Sequence, residues 1–451
     1  MFRRRSATAS SFPVISSKSL KFLRSDAPSN GREKASRTRH ETSLSVAGAY
    51  WFRQDGARAV FSALNRKGHE ARIVGGALRN ELMGLPVVDI DFAVTARPEA
   101  VMRLAEEAGL KPVPTGIDHG TVTVVAGHQP FEVTTLRHDV ATDGRRATVA
   151  FTRDWAADAS RRDFTINALY ADAEGRVYDP LGGLPDIHAR RVRFIGSALE
   201  RIREDYLRIL RFFRFTADYS AGPPDAVGLA ASIDERAGLA RLSAERVRAE
   251  LLRILVTRRP LTALEPMAES GLLTAILGGV ARLSHFERLA ALEAALDVAP
   301  SSIRRLAALA VMVEEDAERL AARLRLSNAE AKQLLVMAGQ QPSFSGAISE
   351  RNARVALYRL GAEGYRDRAS IAWARVGADA ADEDWLRLYR LTERWSPPAF
   401  PLKGQDLIAH GVPAGPKVGQ KMRALEAKWL DSGLELSRDE LLAGVSGNSP
   451  T

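Results

Sequence analysis

Apolar and polar positions fall into three regimes along the 451 residues. Up to about residue 45 no apolar period is present. From 46 to about 170, short helical and strand patterns alternate. "AVFSALNRKG" puts Val60 and Leu64 on one helical face and stops at Gly68. "EARIVGG" reads as a strand entering a glycine turn, "ALRNELMG" as a short helix, and "PEAVMRLAEEAG" as an amphipathic helix. "GTVTVVAG" and "FEVTTLR" alternate and are β-branched, which predicts paired strands. After the turn cluster "YDPLGGLPD" the period becomes helical. "RIREDYLRILRFFRFTADY" reads as strongly helical. Ser243 is the expected N-cap of "LSAERVRAELLRILV", with Glu245 in its first turn. Ser327 and Glu330 form an expected capping box. Leu/Ala-rich helices continue to about 395, where Pro397, Pro398 and Pro401 break the pattern before a short helical end.

One strand departs from this patterning. "LPVVDIDFAV" sets Asp89 and Asp91 inside an apolar run. Side chains i and i+2 of a strand share a face, so the two carboxylates are expected together, with Val88, Ile90 and Phe92 on the other side. A divalent cation bound by oxygen donors would explain the pair; two solvated acids on a half-exposed strand are the plainer reading. Glu132 alternates with Phe131 and Val133, so it faces away from their apolar side. It is either a third member of an acidic cluster or an edge-strand acid facing solvent.

Composition narrows the classes. At 45% hydrophobic and 26% charged residues the chain is globular, and its length calls for several domains. The absence of cysteine excludes disulfides, thiolate catalysis and cysteine-based zinc sites. No apolar run is long enough to span a bilayer, so no membrane partner is expected. The net charge of +9 biases the chain toward a polyanionic partner. Residues 1–45 are serine-rich, and Arg3, Arg4, Arg5, Lys18, Lys21 and Arg24 all precede the first acid, Asp26. This segment is expected to be a disordered basic extension, which places the protein in the cytoplasm; read as a transit peptide it would direct the chain to mitochondria.

Candidate chemistry clusters around the acidic strand. Gly75 and Gly76 let the backbone approach an anion where a strand turns into a helix, and Arg79 follows one turn on. Farther along, "RRDFTIN" places Asn167 a helical turn beyond Asp163, and "EDYLR" places Asp205 and Arg208 at i and i+3. An ionised Asp only accepts and an Arg only donates. Together they match the Watson–Crick edges of cytosine and adenine, each an amino donor beside a ring-nitrogen acceptor, and mismatch uracil and guanine. The plain alternative is a surface ion pair. Arg211 and Arg214 continue the stripe from Arg208, with Phe212, Phe213 and Phe215 between them.

The motifs "VGGALRNELMGLPVVDIDFAV", "SRRDFTINAL", "YDPLGGLPDI", "RIREDYLRILRFFRF" and "LSAERVRAEL" occur in this order over about 70–255. They resemble those of the class II tRNA nucleotidyltransferase and bacterial poly(A) polymerase family; "KGQDLIAHGVPAGPKVG" resembles its C-terminal region. The resemblance implies an α+β fold: a small nucleotidyltransferase head (46–170), then an all-helical neck (171–255) that recognises the base, a helical body (256–395) that binds tRNA, and a tail (396–451). It implies that Asp89 and Asp91 hold Mg²⁺ with Glu132 assisting, that Gly76 and Arg79 contact the triphosphate, and that Arg162 and Asp163 handle phosphate and ribose. Asn167, Asp205, Arg208, Arg211 and Arg214 complete the implied nucleotide pocket. The implied substrates are tRNA, CTP and ATP. Asn80 stands where the family usually has Asp. Within the family, "PTGIDHGTVTVV" lacks the basic segment of poly(A) polymerases and resembles CCA-adding members. The long segment before "RRD" resembles members that add all three nucleotides rather than two cytidines. Poly(A) polymerase and a catalytically silent RNA-binding protein on the same scaffold are the alternatives.

Overall fold

A computed structural model describes residues 44–451 apart from 144–145, 340–343, 346, 444 and 446–451. The expected N-terminal extension thus lies outside the described residues, except for its last two positions.

Among the described residues, nine strands occur before residue 180: β1 Ala71–Val74, β2 Asp91–Val94, β3 Lys111–Gly116, β4 Thr121–Ala126, β5 Gln129–Thr135, β6 Arg137–Asp143, β7 Arg146–Phe151, β8 Tyr170–Ala171 and β9 Val177–Tyr178. Seven form one sheet in the order β3-β4-β5-β2-β1-β8-β9, while β6 and β7 make a separate hairpin. The expected pairing of "GTVTVVAG" with "FEVTTLR" is the antiparallel β4–β5 ladder. β2 lies between β1, antiparallel, and β5, parallel. The sheet does not end near residue 170, because β8 and β9 extend it to Tyr178.

Alternation along the strands sorts this sheet into two faces. Phe92, Phe131 and Val133 are fully buried on one of them. Helices Asp55–Leu64 and Pro98–Glu107 pack on the sheet. Phe61 meets Phe92 with ring centroids 4.9 Å apart, and Phe92 meets Phe131 at 5.9 Å, spacings favourable for aromatic pairs. Asp91 and Glu132 alternate onto the opposite face. β2 is shorter than its apolar run suggests: it begins at Asp91, so Asp89 precedes it and Val88 is exposed rather than buried with Ile90 and Phe92.

Beyond the sheet the described chain is almost wholly helical. "RIREDYLRILRFFRFTADY" is two helices, not one. Ala198–Glu204 stops at Asp205, whose backbone is extended (φ −156°, ψ 107°), and Leu207–Tyr219 begins two residues later. Phe212, Phe213 and Phe215 are buried on the second helix; Phe215 lies 5.0 Å from Phe164 and Phe212 lies 5.3 Å from Phe194. This aromatic seam fixes the helix against the segment that carries Asp163. Ser243 and the Ser327–Glu330 box cap their helices as expected. Glu350–Val376 is interrupted at Gly361, where φ is 71°. The stretch before that kink supplies Val355 and Tyr358 to the C-terminal cluster of Leu402, Leu407, Leu425, Trp429, Leu441 and Leu442. The C-terminal packing unit therefore reaches back across the proline-rich boundary.

Candidate active site

An open cavity of about 480 Å³ lies where the polar face of the sheet meets the Leu207–Tyr219 helix. Its wall holds most of the residues singled out in the sequence: Gly76, Arg79, Asp91, Glu132, Arg162, Asp163, Asn167, Asp205, Arg208 and Arg211. Asp89 and Arg214 are not part of that wall. Asp89 is exposed ahead of β2, and Arg214 turns to Glu250 at 2.6 Å.

Asp91 and Glu132 are direct register partners in the parallel β2–β5 ladder. Glu132 is therefore an inner-strand acid, not an edge one. Burial, then the charge of Glu132, then that of Asp89 push the Asp91 carboxyl up to about 6, against a weaker pull from Arg162. None of the three acids makes an ion pair among the described residues. Nor do any three carboxylate or imidazole groups among them close around one point. Two oxygen-donor carboxylates held in register, with a third two residues away, suit a hard divalent cation that draws further ligands from elsewhere.

The arginines across the cavity are held differently, each by a partner of its own. Gly75, with φ 73°, makes the turn into helix Gly76–Leu82, which presents Arg79. Asn80 Oδ1 accepts from Arg79 Nε (3.1 Å) and Nη2 (2.8 Å), while Asn80 Nδ2 donates to the Pro86 carbonyl. The neutral amide thus orients Arg79 where the resemblance implies a carboxylate. Arg79 also donates to Asn167 Oδ1 (2.6 Å) and Tyr219 Oη (2.7 Å), and its guanidinium lies 3.9 Å from the Tyr219 ring centroid. Arg162 is held by Asp158 at 2.9 Å and by Tyr170 at 3.2 Å.

Asp163 precedes a single 3₁₀ turn, Thr165–Asn167, rather than an α-helix. Its Oδ1 accepts from Phe164 N and Asn167 Nδ2, and its Oδ2 from Arg211 Nε (2.9 Å) and Nη2 (2.6 Å). Burial works to raise its pKa, but Arg211 and then the hydrogen bonds outweigh it, so the carboxyl is held below its usual range.

Asp205 and Arg208 share the cavity wall without pairing, because the helix break separates them. Asp205 accepts from Leu207 N (3.1 Å) and Arg246 Nη2 (2.7 Å); Arg208 contacts Glu204 and the Arg201 carbonyl. Gly238 packs against Tyr206 within the break, so closely that a Cβ there would overlap the ring. Sequence reasoning missed Asp158, Tyr170, Tyr219, Arg246 and Glu250. Arg246 and Glu250 lie inside the quoted "LSAERVRAEL", where arginine and glutamate at i, i+4 were a visible signal.

The "Poly A polymerase head domain" model matches residues 71–193, and the model described as "Probable RNA and SrmB- binding site of polymerase A" matches 229–283. The chain is 33% identical over 401 residues to the mouse (Mus musculus) protein named CCA tRNA nucleotidyltransferase 1, mitochondrial, covering 87% of this chain and 90% of that one. It is 37% identical over 244 residues to the CCA-adding enzyme of Geobacillus thermodenitrificans, covering 52% and 57% respectively. The solved structure of the Bacillus stearothermophilus CCA-adding enzyme in complex with CTP matches with a TM-score of 0.69 at 27% identity, covering 86% of this chain and 96% of that chain. With motifs, fold and relatives in agreement over most of its length, the chain belongs to the CCA tRNA nucleotidyltransferase family, whose head is shared with poly(A) polymerase.

Proposed function

We propose that the protein adds C, C and A to tRNA 3′ ends from CTP and ATP and releases pyrophosphate. The observation that carries this reading is the composition of one cavity: unpaired carboxylates on the sheet face a wall of arginines, with Asp205 and Arg208 on the adjoining helix break. The mouse relative's name and the CTP complex of the Bacillus enzyme point the same way.

The attacking group is the terminal 3′-hydroxyl of tRNA, and the bond broken joins the α- and β-phosphates of the nucleotide. Nucleotidyltransferases of this family use a divalent metal; Asp89 and Asp91 would hold Mg²⁺, with Glu132 assisting as third carboxylate or base. When bound, such an ion would lower the pKa of the hydroxyl and neutralise charge on the triphosphate. Arg79 and Arg162, each oriented by its own partners, bind phosphate oxygens, with Gly76 leaving room for the triphosphate. All the strong accepting directions of Asp163 are already used. It therefore acts by aiming Arg211 and Asn167 at the sugar. Asp205 and Arg208 read the base: a carboxylate accepts from the amino group of C or A, and a guanidinium donates to the ring nitrogen. Arg214, through Glu250, braces this helix from outside the wall. The helical body holds tRNA by phosphates and shape. We place the reaction in the cytoplasm; import of a tagged full chain into mitochondria would overturn that placement.

The test uses tRNA ending before CCA, Mg²⁺, and CTP, ATP or both. Three added residues only when both are present is the expected result. Long A-tails from ATP alone would make it a poly(A) polymerase, and no extension under any condition would refute the activity.

A further inference from the structure

The polar face of the sheet carries threonines that the proposed assignments leave without a role. Thr121 and Thr134 line the same cavity as Asp91 and Glu132. They are register partners in the β4–β5 ladder, in which Glu132 is the partner of Thr123. Thr134 lies two residues beyond Glu132 on β5, so the two side chains share a face. Thr121 Oγ1 and Thr134 Oγ1 are 3.1 Å apart, and neither makes another side-chain hydrogen bond among the described residues. Thr135 N donates to the Gly120 carbonyl at 2.8 Å, which ties together the strand ends that present them. The neighbouring Thr135 uses its hydroxyl differently: it is buried on the other face and donates to the Ala96 carbonyl at 2.8 Å. One bond between two hydroxyls consumes one proton and one lone pair. The Thr121–Thr134 pair therefore keeps a free O–H and free lone pairs, half-buried at the edge of an open cavity.

The order of the sheet gives this pair a direction. The residues assigned to the nucleotide stand on one side of Asp91: Gly76 and Arg79 follow β1, and Arg162 and Asp163 lead into β8, the next strand outward. Thr134 and Thr121 stand on the other side, on β5 and then β4. In an in-line displacement the attacking and leaving oxygens lie on opposite sides of the phosphorus. With the triphosphate on the arginines, pyrophosphate departs toward β1 and the attacking hydroxyl arrives from β5 and β4.

We infer that Thr121 and Thr134 form the subsite for the 3′-terminal ribose of the acceptor RNA, exchanging hydrogen bonds with its 2′-hydroxyl and so presenting the adjacent 3′-oxygen to the acids. The inference rests on the reading that tRNA is the acceptor and names the part of it that the sheet holds. A 2′-hydroxyl both donates and accepts, as the threonine pair does, and it is the group by which a protein tells RNA from DNA. The contact is uncharged, so it positions the RNA end without adding to the salt-dependent attraction of phosphates.

The test uses two tRNAs lacking CCA, one with a ribose and one with a 2′-deoxyribose at the terminal nucleotide; both keep the 3′-hydroxyl. Incorporation of the first C from CTP is followed on each. The parent should extend the deoxy acceptor with a kcat/KM roughly three- to tenfold below that of the ribose acceptor, the loss of one neutral hydrogen bond. Thr121→Val combined with Thr134→Val keeps the β-branched shape of both strands and removes both hydroxyls. It should lose a similar factor on the ribose acceptor and nothing further on the deoxy one, so the two acceptors become equivalent, while the KM for CTP holds. Thr121→Ser with Thr134→Ser should restore the preference. Thr115→Val breaks the other hydroxyl pair of this sheet, Thr115 with Thr123 at 2.9 Å, which lies outside the cavity wall, and should keep the parent's preference. An active parent that uses both acceptors equally overturns the inference without any variant. A double variant that keeps the parent's preference, a raised KM for CTP in place of a lost preference, or an equal loss in Thr115→Val also overturns it. If the parent extends neither acceptor, the functional reading fails and takes the subsite with it.

Discussion

The two walls of the cavity treat charge in opposite ways. On the sheet, Asp91 and Glu132 stand in register without an ion pair among the described residues, and their mutual repulsion outweighs the pull of Arg162. Across from them, Asp163 is paired with Arg211 and Asp205 with Arg246, and behind the wall Asp158 pairs with Arg161 and Arg162 and Glu250 with Arg214. The difference separates the roles of chemically identical groups. Carboxylates that orient arginines are consumed by doing so, whereas Asp91 and Glu132 orient none and bear the repulsion.

Asp91→Ala tests the unpaired wall most severely. Incorporation should fall by about a thousandfold or more, on the scale of electrostatic terms at a reacting centre, while tRNA anisotropy is retained. Normal incorporation would show that the sheet acids are bystanders. Arg208→Ala addresses the paired wall. Discrimination of CTP and ATP against UTP and GTP should drop by roughly a hundredfold, because a site built to hydrogen-bond a base rejects mismatches strongly. A loss of tRNA affinity with unchanged nucleotide choice would contradict base readout.

Asp163→Asn should raise the KM for nucleotides by about tenfold, the loss of one charge-assisted pair, through misplacement of Arg211. The same carboxyls give a pH signature. Asp158 and Asp163 have folded pKa values held below their unfolded values. The stability they contribute is present above the unfolded carboxylate range, near pH 4, and is lost as pH falls through the folded values. Thermal melts should show a steeper acid-side decline for the parent than for Asp163→Asn. On the unpaired wall the sign reverses: Asp91→Asn in chelator should melt about 1–2 °C above the parent, since it removes a repelled charge. The smallest effect is expected at Asn80→Asp, which leaves both contacts to Arg79 in place and adds a charge; nucleotide KM should shift by about threefold or less.

What was legible in the sequence was whatever a local period encodes. The head strands, the Ser243 and Ser327 caps and the arginine–phenylalanine stripe all follow from spacing. The register of Asp91 with Glu132 was not, because it joins strands nearly forty residues apart and depends on which neighbour β2 chooses. The helix break was hidden for another reason. Asp205 and Tyr206 fit a helical period perfectly well, and the extended backbone of Asp205 is favoured by its acceptance from Leu207 N, its ion pair to Arg246 and the packing of Tyr206 on Gly238. The four hydrogen bonds that Asp163 accepts were not legible either, because a motif shows a residue's type but not how many of its lone pairs are taken.

The contact between Gly238 and Tyr206 gives the break a remote adjustment screw. The missing methyl at 238 sets how far the ring can settle, and Tyr206 lies between the two residues assigned to the base along the chain. A slightly larger residue there would act as a wedge, altering the separation of Asp205 and Arg208 while leaving the chemistry of both intact. On the proposed assignment, nucleotide preference would be open to tuning from a position outside the cavity wall.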